Sequence, residues 1–384
     1  MNITDKKILL YTHNSGGTGN YDDELYDFLV RNGVDDIVKI DFPFGQRSEK
    51  AIRFKRFNSE KEIIRFESVI KFSTPVIVSY VKDLLYGIFY GFKFAKNTNL
   101  FFGMDNLLTL IGIFFKKIGL IKEVAYIIID YTPVRYNIKI LDNIYYAVDR
   151  FCLYNSDYVI PLNEAMIEAR IRDKKLNRAK INYIVTPFGN HSLSKNIKIT
   201  KNNKIVYFGQ ISKDKGAELF VPIAKSLIVK EFNDFVFEVI GGGDVEYLKK
   251  QIKDEGLEKY FNVYGRINEV EKIEDILMSC SIALAPYYPE DKNNFSYYAD
   301  PGKVKFYLGC GLPMVITDVP PIAKDIEKNE CGVVSEYNSD NFAGKIIEIL
   351  SNEEKYLRYK NNSIEFGKKF DWDVVFISLF KNIK

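Results

Sequence analysis

Histidine and cysteine are scarce in this chain, with two and four among 384 residues. Cys152, Cys280, Cys310 and Cys331 are widely separated and form no CxxC pair. That spacing argues against a zinc site or a disulfide framework, and reduced thiols of a cytoplasmic protein are expected. An excess of either charge is lacking too: 54 basic and 51 acidic side chains leave a formal net charge of +3. A dedicated nucleic-acid binder usually shows a strong basic excess, so no nucleic-acid partner is expected. No uncharged apolar run reaches the ~20 residues needed to span a bilayer. The opening residues, MNITDKKILLYTHN, lack a secretory leader pattern. The Walker pattern GxxxxGK[ST] is absent, as is GxGxxG with an acid at the ribose spacing, so neither a Walker loop nor a nicotinamide dinucleotide site is expected.

What is present is a globular balance, 47% apolar and 27% charged residues. The length suits two domains. Lys7–Tyr11 reads as a strand, HNSGGTGN as a glycine-rich turn, and YDDELYDFLVRNG as a helix. DIVKIDF, VIVS (Val76–Ser79) and EVAYIIID (Glu123–Asp130) read as further strands. The second half restarts the pattern with NKIVYFG, FVFEVIGGG, FNVYGR, SIALAPYY and PMVITDV, with helices between them. Strand–helix alternation occurring twice implies two doubly wound α/β domains with parallel sheets, split near residue 190. Ligands of such sheets bind beyond the carboxyl ends of the strands, so a cleft between the domains is the expected site.

The candidate residues sit at those strand ends. Gly16, Gly17 and Gly19 lie between a strand and a helix, where glycine permits close backbone approach and the helix start offers free amides to an anion. In FGQISKDKG, Lys213 and Lys215 precede a helix and suit a diphosphate; Lys213 reads better as a solvated lysine. In ADPGKVKFYLGCGLP, Asp300 is expected as N-cap, Pro301 in the first turn, and Gly302 as an open approach. Lys303 then falls where the helix dipole favours acids, a position that an anion would relieve. Asp130 ends a buried strand. It either positions an acceptor hydroxyl, acts as a base, or caps the turn through Thr132. His13 follows the first strand and is a further catalytic candidate; His191 is a weaker one. Asp371 and Asp373 in DWD imitate a metal-binding pair but read better as helix caps.

Taken together, FGQISKDKG, VIGGGDVEYL, YADPGKVKFYLGCGLPMVITD and the closing tryptophan-bearing helix resemble GT-B fold glycosyltransferases, similar to family 4. The resemblance implies two Rossmann-like domains facing each other across a cleft. Residues 1–188 would form the acceptor domain, 189–370 the donor domain, and 371–384 a helix crossing back. It also implies donor contacts at Gly16, Gly17, Gly19, Gly209, Gln210, Lys215, Gly242, Gly243, Arg266, Ile267, Pro301, Gly302, Lys303 and Phe306. The family's diphosphate-binding arginine corresponds to Gln210. Its two acids correspond to Tyr298 and Phe306, where a phenyl ring cannot accept a ribose hydrogen bond. The implied reaction moves a hexosyl group from a nucleotide-diphosphate sugar to a glycan or lipid-linked hydroxyl, with retention and without metal or cofactor. The alternatives are a nucleotide-sugar epimerase of the same fold and a non-catalytic nucleotide-sugar-binding protein. Leu84–Lys122, aromatic and studded with lysines, reads either as a peripheral contact with the inner face of an anionic membrane or as a buried helix with snorkelling lysines.

Overall fold

A computed structural model describes residues 3–14, 20–43, 51–58, 61–68, 76–191, 201–289 and 293–383. The chain divides into two compact units, Met1–Pro187 with Phe376–Lys384, and Phe188–Val375.

The first unit runs β1 (Lys7–Asn14), α1 (Tyr21–Arg31), β2 (Asp36–Pro43), β3 (Ala51–Asn58), β4 (Lys61–Ser68), α2 (Val76–Phe94) and β5 (Thr98–Met104). It continues with α3 (Asn106–Lys117), β6 (Ile121–Ile128), α4 (Lys139–Asn155), β7 (Tyr158–Pro161) and α5 (Glu164–Lys174). Its seven strands lie in the order β4-β3-β2-β1-β5-β6-β7. The five strands from β2 to β7 pair in parallel, while β3 and β4 add an antiparallel hairpin at the edge. The hairpin has no counterpart among the expected elements. Val76–Ser79, expected as a strand, is the first turn of α2. Three successive apolar residues fit either period, and here the apolar pattern runs on through a 19-residue helix.

The second unit runs β8 (Lys204–Phe208), α6 (Phe220–Val229), β9 (Val236–Ile240), α7 (Val245–Asp254), β10 (Phe261–Gly265), α8 (Val270–Met278) and β11 (Ile282–Ala285). It continues with α9 (Gly302–Gly309), β12 (Met314–Thr317), α10 (Ile322–Lys328), β13 (Gly332–Ser335), α11 (Ser339–Ser351) and α12 (Glu353–Gly367). Six strands in the order β10-β9-β8-β11-β12-β13 are parallel throughout. Both faces are covered. Along β8, Ile205 and Tyr207 enter one apolar cluster and Val206 the other, as the period of two requires.

The last helix, α13 (Trp372–Asn382), is divided between the units. Trp372 packs edge-on to Phe188 in the second. Phe376 meets Tyr21 and Phe28 of the first, and Phe380 stacks on Phe28.

Candidate functional site

In the second unit the strand order reverses between β8 and β11, where a ligand site is expected. The residues leaving these strands are Gly209-Gln210 and Pro286-Tyr287. Gly216 has φ +77, and a Cβ there would lie 1.7 Å from the Pro286 carbonyl oxygen. Only glycine lets the short turn Lys213–Lys215 close onto the end of β11. Helix α9 is tied to the same strand ends. The Tyr307 hydroxyl accepts from the Phe208 amide at 2.7 Å and donates to the Leu284 carbonyl at 3.2 Å.

These packings converge two lysines on one tyrosine. Lys303, in the first turn of α9, is half-buried; its Nζ lies 3.0 Å from the Tyr207 hydroxyl. It stands 4.2 Å from the Tyr207 ring centre and 4.7 Å from that of Tyr287. The Lys215 Nζ lies 5.7 Å from the Tyr287 ring centre, donates to Ser296 Oγ at 2.8 Å and pairs with Asp214 at 3.0 Å. Removal from water, and then the Lys215 charge, hold Lys303 well below the ordinary lysine range; Asp214 opposes them from a distance. No carboxylate among the described residues forms an ion pair with Lys303. The buried Tyr287 hydroxyl has no hydrogen-bond partner among the described residues. Two ammonium groups, an unpartnered hydroxyl and the free amides of a helix start form a place for an anion.

Lys305 is the contrast. It is buried over the Phe370 ring at 3.7 Å and paired with Asp300 at 2.9 Å. That pairing changes the helix start: Pro301, not Asp300, is the N-cap. The Asp300 carboxylate instead also accepts the Phe188 amide at 2.7 Å.

The other expected donor residues have varied settings. Gly209, φ +135, leaves room for the Lys303 ammonium, which a Cβ would meet at 3.4 Å. Gln210 is exposed, and its carbonyl accepts from the Tyr207 hydroxyl at 2.6 Å. Gly243 is explained by internal packing, since a Cβ would come within 2.3 Å of the Ile211 carbonyl; at Gly242 there is space. Gly302 packs on the Phe188 ring. Arg266 is exposed and bonds Asn268, while Ile267 joins the core edge. Phe306, expected against the donor, is buried in the core and meets Phe208 edge-on. Gly16, Gly17 and Gly19 lie outside the described residues.

In the first unit the order reverses between β1 and β5. A cavity of about 240 Å³ there is lined by His13, Asp105, Asp130, Arg135, Tyr80 and Tyr145, among others. The His13 Nδ1 meets the Asp105 carboxylate, and its Nε2 lies 3.2 Å from Asp83. Burial pulls the imidazole down, but the two carboxylates win and raise it to about 9. The site of this catalytic candidate thus favours its protonated imidazole. Asp105 is held at φ +96, unusual for a non-glycine residue. Its side chain caps α3 at the Leu108 amide, 3.0 Å away, and its amide donates to Ile127. Asp130 is bound by Arg135 at 2.9 Å, and Thr132 bonds Val134 rather than Asp130. His191 is exposed beside Trp372. Asp371 accepts the Asp373 amide at 2.9 Å, a helix-start contact. Among the described residues no cluster suited to a metal is present.

Sequence reading missed Asp83, Asp105, Tyr207, Tyr287 and Ser296. Asp105 had a visible signal: it ends LFFGMD as Asp130 ends YIIID.

Residues 202–352 match the family model described as glycosyl transferases group 1. The chain is 23% identical over 227 residues to an uncharacterized glycosyltransferase of Methanocaldococcus jannaschii, a match covering 58% of each protein, less than two thirds of that relative. Among solved structures it is similar to sucrose-phosphate synthase from Thermosynechococcus elongatus, with 15% identity, 98% of each chain covered and a TM-score of 0.73. It is also similar to Anabaena HepE in complex with UDP, with 13% identity, 98% and 99% coverage and a TM-score of 0.67. The fold of two Rossmann-like units is the GT-B fold of these structures.

Proposed function

We propose that this chain, similar in fold and in residues 202–352 to group 1 glycosyltransferases, transfers a hexosyl group from a nucleotide-diphosphate sugar to a hydroxyl acceptor. The observation that carries the reading is Lys303. A half-buried ammonium that no described carboxylate pairs with, beside Lys215 and the lone Tyr287 hydroxyl, fits a donor diphosphate.

The chemistry follows from charge. Breaking the glycosidic bond to the nucleotide leaves a diphosphate whose negative charge grows through the transition state. Fixed cations that already face that position stabilise it without reorganising. Lys215 and the first amides of α9 supply this, and Lys303, whose charge burial disfavours, becomes charged as the diphosphate arrives, so the reading calls for no metal. Retention follows if the leaving phosphate oxygen takes the acceptor proton. No strong protein base is then required, which suits a cationic His13 and an Asp130 held by Arg135. The acceptor belongs to the first unit's cavity, where carboxylates can accept from sugar hydroxyls and the Tyr80 and Tyr145 rings can lie against a sugar face.

The same reading includes a peripheral contact with an anionic membrane, on the cytoplasmic side. Among the described residues no helix is long and apolar enough to cross a membrane.

The test is direct. The protein is incubated with a panel of nucleotide sugars, and transfer or slow hydrolysis is followed by release of nucleoside diphosphate. Lys215→Ala and Lys303→Ala are each expected to lower turnover by about 100-fold or more. Turnover unchanged in both variants would remove these lysines from the reaction. No melting-temperature shift with any nucleoside diphosphate at millimolar concentration would remove the reading itself.

A further inference from the structure

The solvent side of α2 is inverted. Its exposed described positions are Val78, Val81, Leu85, Phe89 and Phe92, joined only by Lys93. Leu85 and Phe89 are each 63% exposed. The spacing of three and four residues makes one continuous stripe along the helix. The opposite face holds Asp83, Gly87, Tyr90 and Gly91. At one end Phe92 touches Phe114 of α3, itself 41% exposed, at 6.5 Å between ring centres.

At the other end the stripe runs into a groove. A second cavity of about 220 Å³ is walled by Val81 from α2, Leu107 from α3, and Leu141, Ile144 and Val148 from α4. The polar atoms on its rim are bonded to each other. The Tyr80 and Tyr136 hydroxyls lie 2.7 Å apart, and the Asn106 amide donates to the Tyr145 carbonyl at 3.1 Å. The groove thus offers apolar walls to its contents. Tyr80, Asn106 and Tyr145 also line the polar cavity of His13, Asp105 and Asp130. Polar cavity, apolar groove and exposed stripe therefore adjoin in that order.

We infer that the acceptor is an amphiphile, with its sugar-bearing head in the polar cavity and its hydrocarbon tail in the groove walled by Val81, Leu107, Leu141, Ile144 and Val148. This deepens the transferase reading and rests on it. A free glycan gains little from the groove, whose apolar walls are covered most favourably by hydrocarbon. The stripe on α2 then faces the surface that holds the tail. Lys93, Lys96 and Lys117 are exposed on α2, at its end and on α3, and complement an anionic lipid surface. The occupant of the stripe is that surface, and the tail enters the groove from it.

The experiment uses the whole protein and two alkyl glucosides kept below micelle formation, methyl and octyl glucoside, with binding followed by ligand-observed NMR. Octyl glucoside is expected to bind at least about 10-fold more tightly, since burying each added methylene is favourable. Ile144→Trp fills the groove from an exposed position, 57% accessible, and is expected to abolish that advantage while methyl glucoside binding stays the same. Equal binding of the two glucosides, or an advantage that survives Ile144→Trp, overturns the inference. The same samples are titrated with UDP and other nucleoside diphosphates. A thermal shift with a nucleotide but no chain-length effect overturns the amphiphile alone. No shift with any nucleotide overturns the transferase reading and the acceptor assigned within it.

Discussion

At the scale of single residues, Lys303 and His13 are opposite cases of one rule. Lys303 is removed from water and stands near a second ammonium, so its charge is disfavoured; His13 lies between two carboxylates, so its charge is favoured. Each gives a pH prediction. An anion beside Lys303 raises its depressed pKa, so nucleoside diphosphate binding takes up a proton and weakens as pH rises. Calorimetry in buffers of different ionisation enthalpy measures that proton; zero uptake in wild type, matching Lys303→Ala, would sink the idea. His13 has a folded pKa of about 9 against 6.5 for the free side chain. Its contribution to stability is complete below pH 6.5 and is lost as pH rises through about 9. The melting-temperature difference between wild type and His13→Gln should therefore be largest near pH 6 and shrink towards pH 9.5. Lys215 and Lys303 were legible in the sequence because each precedes or opens a helix after a strand. Their ring neighbours Tyr207 and Tyr287 were not, because only the pairing of β8 with β11 brings residues 80 positions apart together. Phe306 misled for a related reason: its place in a motif suggested a ligand, while its place on the inner face of α9 put it in the core.

At the scale of elements, glycines separate into those that leave room for a ligand and those that the chain itself needs. Gly216 belongs to the second kind. Gly216→Ala adds a Cβ 1.7 Å from a backbone oxygen at a residue with φ +77, so a cost of at least about 2 kcal/mol is expected. Gly256→Ala, also at positive φ but with nothing within 4 Å, should cost only about 1 kcal/mol of backbone strain. Urea unfolding of both variants makes the comparison; equal costs would mean that the loop yields easily. The alternation of strands and helices was legible throughout the second unit, where every strand is parallel. It failed at β3 and β4, whose mixed polar pattern suits an edge, and at the start of α2, where both faces are apolar. The apolar outer face that hid the helix period of α2 is the feature that now defines its surface.

At the scale of the whole molecule, the near-neutral formal charge of +3 conceals local order. Binding to vesicles of phosphatidylcholine with phosphatidylglycerol should exceed binding to phosphatidylcholine alone, and salt should weaken it. Replacing Leu85 and Phe89 together by aspartate should reduce flotation with anionic vesicles by about 10-fold or more, given the apolar area lost. Both side chains are exposed, so the fold should survive, as circular dichroism would report. Unchanged flotation would separate α2 from any membrane.

The divided helix α13 has a consequence for how this chain is made. The first unit is assembled from residues at both extremes of the sequence, because Phe28 and Phe102 pack on Phe380. During synthesis those rings wait, uncovered, until residues 376–383 have been added. The half that emerges first from the ribosome is therefore completed last, after the second unit already has all its strands. Expressed alone, residues 1–187 would present that aromatic wall to water and should aggregate unless a peptide carrying α13 is supplied.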